Sequence, residues 1–206
     1  MDLHVIAPLA SPAERAVIDA VLDPLTPAAS GWTGGERIDG DLRLARGGHA
    51  ARSRRDLLLP ALHAVQDRIG WISEPALGYI CRRLTIPPAE AYGVATFYAL
   101  LSTAPLPPVA LHVCDDMSCR LAGAEGICDD LERELGPAGH PVPGAAATWF
   151  RSPCLGQCDR APAALMTVAG EAPLRLAGGP VSSGELLLRA EEAATGRGTR
   201  STAVSS

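Results

Sequence analysis

Apolar side chains recur at helical spacing through residues 55–104 of the 206-residue chain. Residues 55–69 and the stretch after Ser73, which can cap a second helix, carry them at positions i, i+3, i+4 and i+7, which is the pattern of an amphipathic helix. A third helix is predicted to begin at Pro87-Pro88 and to include the aromatic segment 92–98. The pattern therefore predicts a three-helix bundle over residues 55–104.

The aromatic segment of the third predicted helix has two interpretations. It places Tyr92, Phe97 and Tyr98 within seven positions of one another, with Gly93 among them. The glycine would allow close packing of two helices, whereas exposed aromatic rings would form a docking face for a partner. The sequence leaves both interpretations open.

One more helix is predicted ahead of the bundle. Ser11 and Glu14 form a capping box around Pro12, which is a helix-start signature. The remainder of residues 1–54 is rich in Gly, Pro and Ala and predicts an N-terminal extension with a linker. This extension is either loosely packed or an arm that lies on a partner subunit, a role that Trp32 would suit.

Short apolar runs separated by turn residues replace the helical pattern in residues 105–194. The predicted elements are strands at 109–113, 147–151, 164–168 and 174–176, and helices at 121–135 and from Ser182 onwards. The chain is thus predicted to be α/β, with an N-terminal helical bundle followed by a mixed domain. Residues 195–206 lack apolar periodicity and are predicted to form a disordered tail.

Composition and charge exclude several classes of function. The formal net charge is −5, which disfavours nucleic acid as a partner. The sequence contains neither Lys nor Asn, so it has no Schiff-base lysine, P-loop lysine or Cys-His-Asn triad. It also lacks a G-x-G-x-x-G turn between a strand and a helix, so any NAD is expected to be bound by another chain.

The apolar residues do not predict a membrane segment. The N-terminus has no signal-peptide pattern, and the sequence nowhere has about 18 consecutive apolar residues. We therefore expect a cytoplasmic protein without direct membrane insertion. Because thiols stay reduced in the cytoplasm, its six cysteines indicate metal binding or core packing rather than disulfides.

Four of the cysteines form two closely spaced pairs. Cys114 and Cys119 make a C-x4-C pair, and Cys154 and Cys158 make a C-x3-C pair, each following a predicted strand. Two pairs delivered by two loops suit a [2Fe-2S] cluster, which takes two thiolates on each iron. Structural zinc also accepts four thiolates, although a C-x3-C half is less typical of it. The spacing favours iron–sulfur and leaves zinc as the alternative.

The other cysteines and the nearest histidine are expected to have no metal role. Cys81 and Cys128 lie on apolar helical stripes and are predicted to be core residues. His112 precedes Cys114 by two positions, but a Rieske site needs two histidines and no second one is near Cys154. A thioredoxin-type redox enzyme would need a C-x2-C motif, which the sequence lacks.

Charged residues accompany both cysteine pairs. The acidic residues are Asp115, Asp116 and Asp159, and the basic ones are Arg120, Arg151 and Arg160. Carboxylates beside an anionic cluster would favour its oxidised form and lower its reduction potential. Ordinary solvated loop charges are the other interpretation.

Three motifs together resemble a known family. The segments 57–66 (LLLPALHAVQ) and 92–98 (YGVATFY), with the C-x4-C and C-x3-C pairs, closely resemble the 24-kDa (E-type) subunit of NADH dehydrogenase (complex I). That family includes the homologous gamma or diaphorase subunits of NAD-dependent formate dehydrogenases and bidirectional hydrogenases. The resemblance covers about residues 55–193. The chain departs from the family in its long N-terminal extension and in Asp115-Asp116.

The resemblance implies a fold, a cofactor and a partner. It implies a thioredoxin-like [2Fe-2S] domain after the helical bundle, with Cys114, Cys119, Cys154 and Cys158 as the cluster ligands. It also implies a partner subunit that binds FMN and NAD(H) and exchanges single electrons with the cluster. The expected function is therefore an electron-transfer subunit of an NAD(H)-linked oxidoreductase complex, with no complete active site of its own.

The sequence also allows two alternative functions. One is an interaction module that is stabilised by zinc bound to the four cysteines, and the other is a thioredoxin-like thiol enzyme. The sequence also leaves open whether the parent complex is linked to quinone, formate or hydrogen.

Overall fold

The computed structural model of the chain describes residues 9–22 and 54–196. The chain forms two compact units with a boundary between Pro105 and Leu106, and each unit is described by itself. The predicted linker with Trp32 and the predicted tail from residue 197 onwards lie outside the described residues.

The described part of the first unit is helical. Its helices are α1 (Pro12–Leu22), α2 (Leu58–Ile69), α3 (Glu74–Leu84) and α4 (Pro88–Phe97), with a 3-10 turn at Arg55–Leu57 ahead of α2. The predicted caps are present: Ser11 and Glu14 bond each other reciprocally at the start of α1, and Ser73 caps α3. The three helices predicted after residue 55 are thus confirmed.

Helix α1 is part of the same core, contrary to its assignment to an extension outside the bundle. Ile18 and Leu22 of α1 are fully buried with Leu62 of α2 and Ile80 of α3. Their spacing on α1 places both side chains on one face, which the other helices cover. The first unit is therefore a bundle of four helices within the described residues.

Helix α4 turns its aromatic side chains outward. It buries the small Ala91 and Ala95, whereas Tyr92 and Phe97 are 54% and 80% exposed. Close packing at Gly93 is not observed, because no described atom lies within 4 Å of a Cβ built on that residue. Of the two interpretations of this segment, the structure favours an exposed aromatic face.

The second unit combines a four-stranded sheet with helices. Its elements are β1 (Val109–Cys114), α5 (Met117–Leu121), α6 (Ala124–Leu135), β2 (Ala147–Ser152), β3 (Ala164–Val168), β4 (Leu174–Gly178) and α7 (Ser183–Ala194). The strand order is β2-β1-β3-β4, with β1 parallel to β2 and antiparallel to β3. The predicted α/β class is confirmed.

The predicted helix 121–135 begins later, at Ala124 of α6, and Leu121 is instead the last residue of the short helix α5. Gly123 takes a φ of +95° between α5 and α6, a left-handed conformation that glycine adopts without strain. Leu121, the first residue of the predicted helix, is consequently 86% exposed at the end of α5. Cys128 of α6 is fully buried beside Ile127 and Leu131, as predicted.

No helix in the described ranges combines the length and the apolar character that crossing a lipid bilayer requires.

Candidate metal centre

Both cysteine pairs lie at one edge of the sheet. Strand β1 ends at Cys114, and its register partner Ser152 ends β2, two residues before Cys154. Because β1 and β2 are adjacent and parallel, their carboxyl ends meet at the same edge of the sheet. The backbone N–H of Asp115 donates to the Ser152 carbonyl at 3.2 Å and ties the two loops together.

The first pair is buried. Cys114 and Cys119 are each 2% exposed, and their thiols lie close enough for Cys114 to contribute to raising the pKa of Cys119. Asp116 caps α5 by accepting a hydrogen bond from the Met117 N–H at 2.8 Å, and this short helix positions Cys119. Burial, together with the neighbouring thiols, raises the pKa of Cys119.

The second pair is exposed and lies in a tight loop. The Sγ atoms of Cys154 and Cys158 are 3.5 Å apart, and the Gly156 N–H donates to Cys154 Sγ at 3.4 Å. Gly156 takes a φ of +75°, which a residue with a Cβ rarely adopts. The hydrogen bond with Cys154 raises the pKa of Cys158.

The two pairs also lie near each other. Leu155, between the two exposed cysteines, packs against the small apolar cluster that contains Cys114 and Cys119. Cys158 contributes to raising the pKa of Cys119, and Cys114 contributes to raising that of Cys158. The fold therefore brings together the four cysteines that the sequence singled out.

The other predicted residues lie as follows. Cys81 is buried in the helical core, and this burial raises the pKa of its thiol to about 11. The ring of His112 is buried and stacks on Phe150 at 5.2 Å between centroids, and burial lowers the pKa of His112 to about 4. Its imidazole is therefore neutral at pH 7.

Four charged side chains form a network beside the buried cysteine pair. Arg151 Nη1 lies 2.9 Å from a Glu125 carboxylate oxygen and 3.3 Å from Asp115 Oδ2. Arg120 lies 3.4 Å and 3.8 Å from the same two carboxylates. Sequence reasoning missed Glu125, whose one local signal is its acidic side chain in the first turn of α6.

An open cavity lies next to these charges. Its volume is about 530 Å³, and its lining residues are Asp115, Asp116, Met117, Arg120, Leu121 and Pro153. Met117 is 76% exposed and, like Leu121, is a large apolar side chain close to the cysteine loops.

Comparison with known proteins decides the family. Residues 47–173 match the family described as thioredoxin-like [2Fe-2S] ferredoxin. The chain belongs to this family.

Curated relatives of this ferredoxin-family chain are subunits of NADH-quinone oxidoreductase. An E-type subunit from Rhizobium meliloti is 36% identical over 53% of the chain and 66% of the relative. The E-type subunit of Pseudomonas aeruginosa is 33% identical over 57% and 72%. Subunit 2 of the Thermus thermophilus enzyme is 37% identical over 53% and 61%. The matches span about two thirds of the relatives' length, and the resemblance to the 24-kDa subunit family is confirmed.

A solved structure shares the fold. An NAD+-reducing [NiFe]-hydrogenase in the air-oxidised state aligns with 68% of this chain and 23% of its own, with a TM-score of 0.51 and 23% identity. This likeness supports the thioredoxin-like fold of the family.

The donor set fits the family's [2Fe-2S] cluster. Two thiolates bound tetrahedrally to one metal at about 2.3 Å lie roughly 3.8 Å apart, close to the 3.5 Å between the sulfurs of Cys154 and Cys158. No three His, Cys, Asp or Glu side chains of the described residues are grouped so that they could hold a single metal ion. The thiols form two pairs, one buried and one exposed.

Proposed function

We propose that Cys114 and Cys119 ligate one iron of a [2Fe-2S] cluster and that Cys154 and Cys158 ligate the other. The observation that supports this best is the meeting of two thiol pairs at the ends of two adjacent parallel strands. When bound, such a cluster accepts and releases one electron. The chain is thus an electron-transfer subunit of an NAD(H)-linked oxidoreductase complex.

The two cysteine pairs differ in burial, and we infer that they have different roles. The buried pair, Cys114 and Cys119, holds its side of the cluster away from water. The exposed pair, Cys154 and Cys158, leaves the other side open to a partner. The Gly156 N–H stabilises negative charge on the sulfur of Cys154 through its hydrogen bond. Electrons accordingly enter and leave on the side of the exposed pair.

The partner is a subunit that binds FMN and NAD(H), and its flavin exchanges single electrons with the cluster. The chain has no G-x-G-x-x-G turn with which to bind a dinucleotide itself, and its relatives are named as subunits of NADH-quinone oxidoreductase. The exposed aromatic face of α4, which consists of Tyr92, Phe97 and Tyr98, is where this partner docks.

The parent complex is of the NADH-quinone oxidoreductase, NAD-reducing hydrogenase or NAD-dependent formate dehydrogenase type, and the curated relatives support the first most directly. The expected compartment is the cytoplasm, which keeps thiols reduced. The proposed organisation is an extension at 1–54 whose helix α1 packs on the helical bundle at 55–104, the [2Fe-2S] domain at 105–194 and a tail at 195–206.

Metal analysis and spectroscopy test the proposal. Full-length protein purified without oxygen is expected to be red-brown, to contain equal iron and acid-labile sulfide, and to give an EPR signal when reduced. Cys154→Ser and Cys119→Ser should each lose the cluster, whereas Cys81→Ala, a cysteine of the helical core, should keep it. A colourless protein with stoichiometric zinc, or a cluster unaffected by Cys154→Ser, would refute the proposal.

A further inference from the structure

Arg151 connects two segments that flank the buried cysteine pair. It lies on β2 next to Ser152, the register partner of Cys114. Its guanidinium contacts Asp115, which directly follows Cys114, and Glu125 in the first turn of α6. One side chain thus links the end of β1, the end of β2 and the start of α6.

Arg151 also differs from the second cation of the network in its exposure to water. Its side chain is 37% exposed, whereas that of Arg120 is 59% exposed. Water screens a charge less where the side chain is less exposed. Arg151 is therefore the less screened of the two cations in this network.

The charge balance gives this position a consequence for electron transfer. Four thiolates make the bound cluster anionic, and reduction adds one more negative charge. A nearby cation favours the reduced form, whereas the carboxylates of Asp115 and Glu125 favour the oxidised form. The reduction potential then depends on how well Arg151 offsets these two carboxylates.

We propose that Arg151 is a positioning residue that fixes Asp115 and Glu125 beside the buried cysteine pair and, by offsetting their charge, raises the reduction potential of the cluster. This inference rests on the proposed function, because it needs a cluster held by Cys114 and Cys119. Arg151 would thus be a residue outside the four ligands that adjusts the reduction potential of the cluster.

The test is a redox titration of the full-length protein, followed by EPR, at low and high ionic strength. Arg151→Gln removes the positive charge, Arg151→Lys keeps it without the planar fork, and Glu125→Gln removes one carboxylate. Arg133→Gln is the matched control, since Arg133 forms an exposed ion pair with Asp130 on the same helix as Glu125.

Arg151→Gln is expected to lower the equilibrium constant for one-electron reduction about threefold to tenfold. Since tenfold corresponds to about 59 mV for one electron, the potential falls by roughly 30 to 60 mV. Glu125→Gln should raise the potential, and Arg151→Lys and Arg133→Gln should stay within about twofold of wild type. The shifts should shrink in high salt, because the network is partly exposed.

Several outcomes would overturn the inference. One is an unchanged or higher potential in Arg151→Gln with its cluster intact, and another is an equal shift in Arg151→Lys and Arg151→Gln. If Arg151→Gln does not retain a cluster, Glu125→Gln decides, and an unchanged or lower potential there refutes the role of charge. A wild-type protein without a cluster refutes the proposed function instead, so the two failures are distinguishable.

Discussion

The carboxylate of Glu14 accepts a hydrogen bond from the hydroxyl of Ser73, 59 residues further along the chain. Each of the two residues also caps its own helix: Glu14 bonds the Ser11 N–H at 2.6 Å, and Ser73 accepts from the Ala76 N–H at 3.1 Å. One buried carboxylate therefore joins the N-termini of α1 and α3. This bond, together with the contacts of Asp19 with Tyr79 and Arg83, fixes α1 on the bundle.

Replacing Ser73 should destabilise the helical unit. Ser73→Ala removes the cap of α3 and leaves the buried Glu14 carboxylate without one partner, at an expected cost of about 2–3 kcal/mol in the free energy of unfolding. The measurement is urea denaturation followed by circular dichroism. Ser182→Ala is the control, because Ser182 caps α7 in an exposed position and its loss should cost only about 1 kcal/mol. Equal effects of the two changes would contradict the role of Glu14.

The same carboxylate should make stability depend on pH. Burial acts to raise the pKa of Glu14, but hydrogen bonds from Ser73 and Ser11 outweigh it and hold the pKa below its ordinary value. A carboxyl group whose pKa is lowered by folding stabilises the protein above its unfolded pKa of about 4.3. That stability is lost as the pH falls through the folded pKa, because the unfolded state binds the proton more readily.

Denaturation curves between about pH 3 and 6 check this linkage. Glu14→Gln cannot ionise, so its stability should fall less steeply than that of wild type over this window. Glu132→Gln, an exposed change on α6, serves as the control and should follow the wild-type curve. Parallel curves for Glu14→Gln and wild type would show that another group controls the acid transition.

Thiol labelling should separate four of the six cysteines into two classes. In protein stripped of metal, Cys154 and Cys158 are exposed and should react with iodoacetamide first. Cys81 and Cys128 should resist it, because they are buried and burial raises the pKa of both thiols, to about 11 for Cys81. Mass spectrometry of digested samples gives the rate at each site.

The same experiment on cluster-loaded protein tests the ligand assignment. Iron-bound thiolates are not available to the reagent, so Cys154 and Cys158 should become at least tenfold slower to label despite their exposure. Unchanged rates at these two residues in a loaded protein would refute their assignment as ligands.

Short-range sequence patterns predicted the cysteine loops and the helix caps, but they did not predict the charged network around the cysteines. The apolar runs located the strands that end at the cysteine loops, and Ser11, Ser73 and Ser182 were identifiable as caps because a cap involves residues only a few positions apart. The ion pair of Arg151 with Glu125 had no such signal, because 26 positions separate the two residues and only the packing of α6 against β2 brings them together.

The start of α6 and the packing of α1 differ from the prediction for the same reason, because both depend on more than the spacing of apolar residues. The apolar spacing around Leu121 suits a continuous helix, but the left-handed conformation of Gly123 ends α5 and starts a new helix axis. Ile18 and Leu22 of α1 are four positions apart, which places them on one helical face, but which element covers that face depends on contacts with α2 and α3 across the intervening chain. Periodicity identifies a buried face without identifying its partner.

The aromatic face of α4 should carry much of the affinity for the flavoprotein. Phe97 is 80% exposed, and its ring meets that of Tyr98 edge to face with 5.2 Å between centroids. Exposed aromatic side chains are costly to leave in water and are common anchors of interfaces. Phe97→Asp places a charge in this face and is expected to weaken binding to the flavoprotein at least tenfold, measured by calorimetry with the isolated partner subunit.

A matched change on the second unit shows whether the effect is specific. Leu188 of α7 is also a large exposed apolar residue, so Leu188→Asp introduces the same charge into a surface of similar character. The EPR signal and the reduction potential of both variants are measured beside the binding, so that loss of the cluster is distinguished from loss of docking. Loss of binding in Phe97→Asp with binding retained in Leu188→Asp would locate the partner on α4, whereas equal affinities for both variants and wild type would place the docking surface elsewhere.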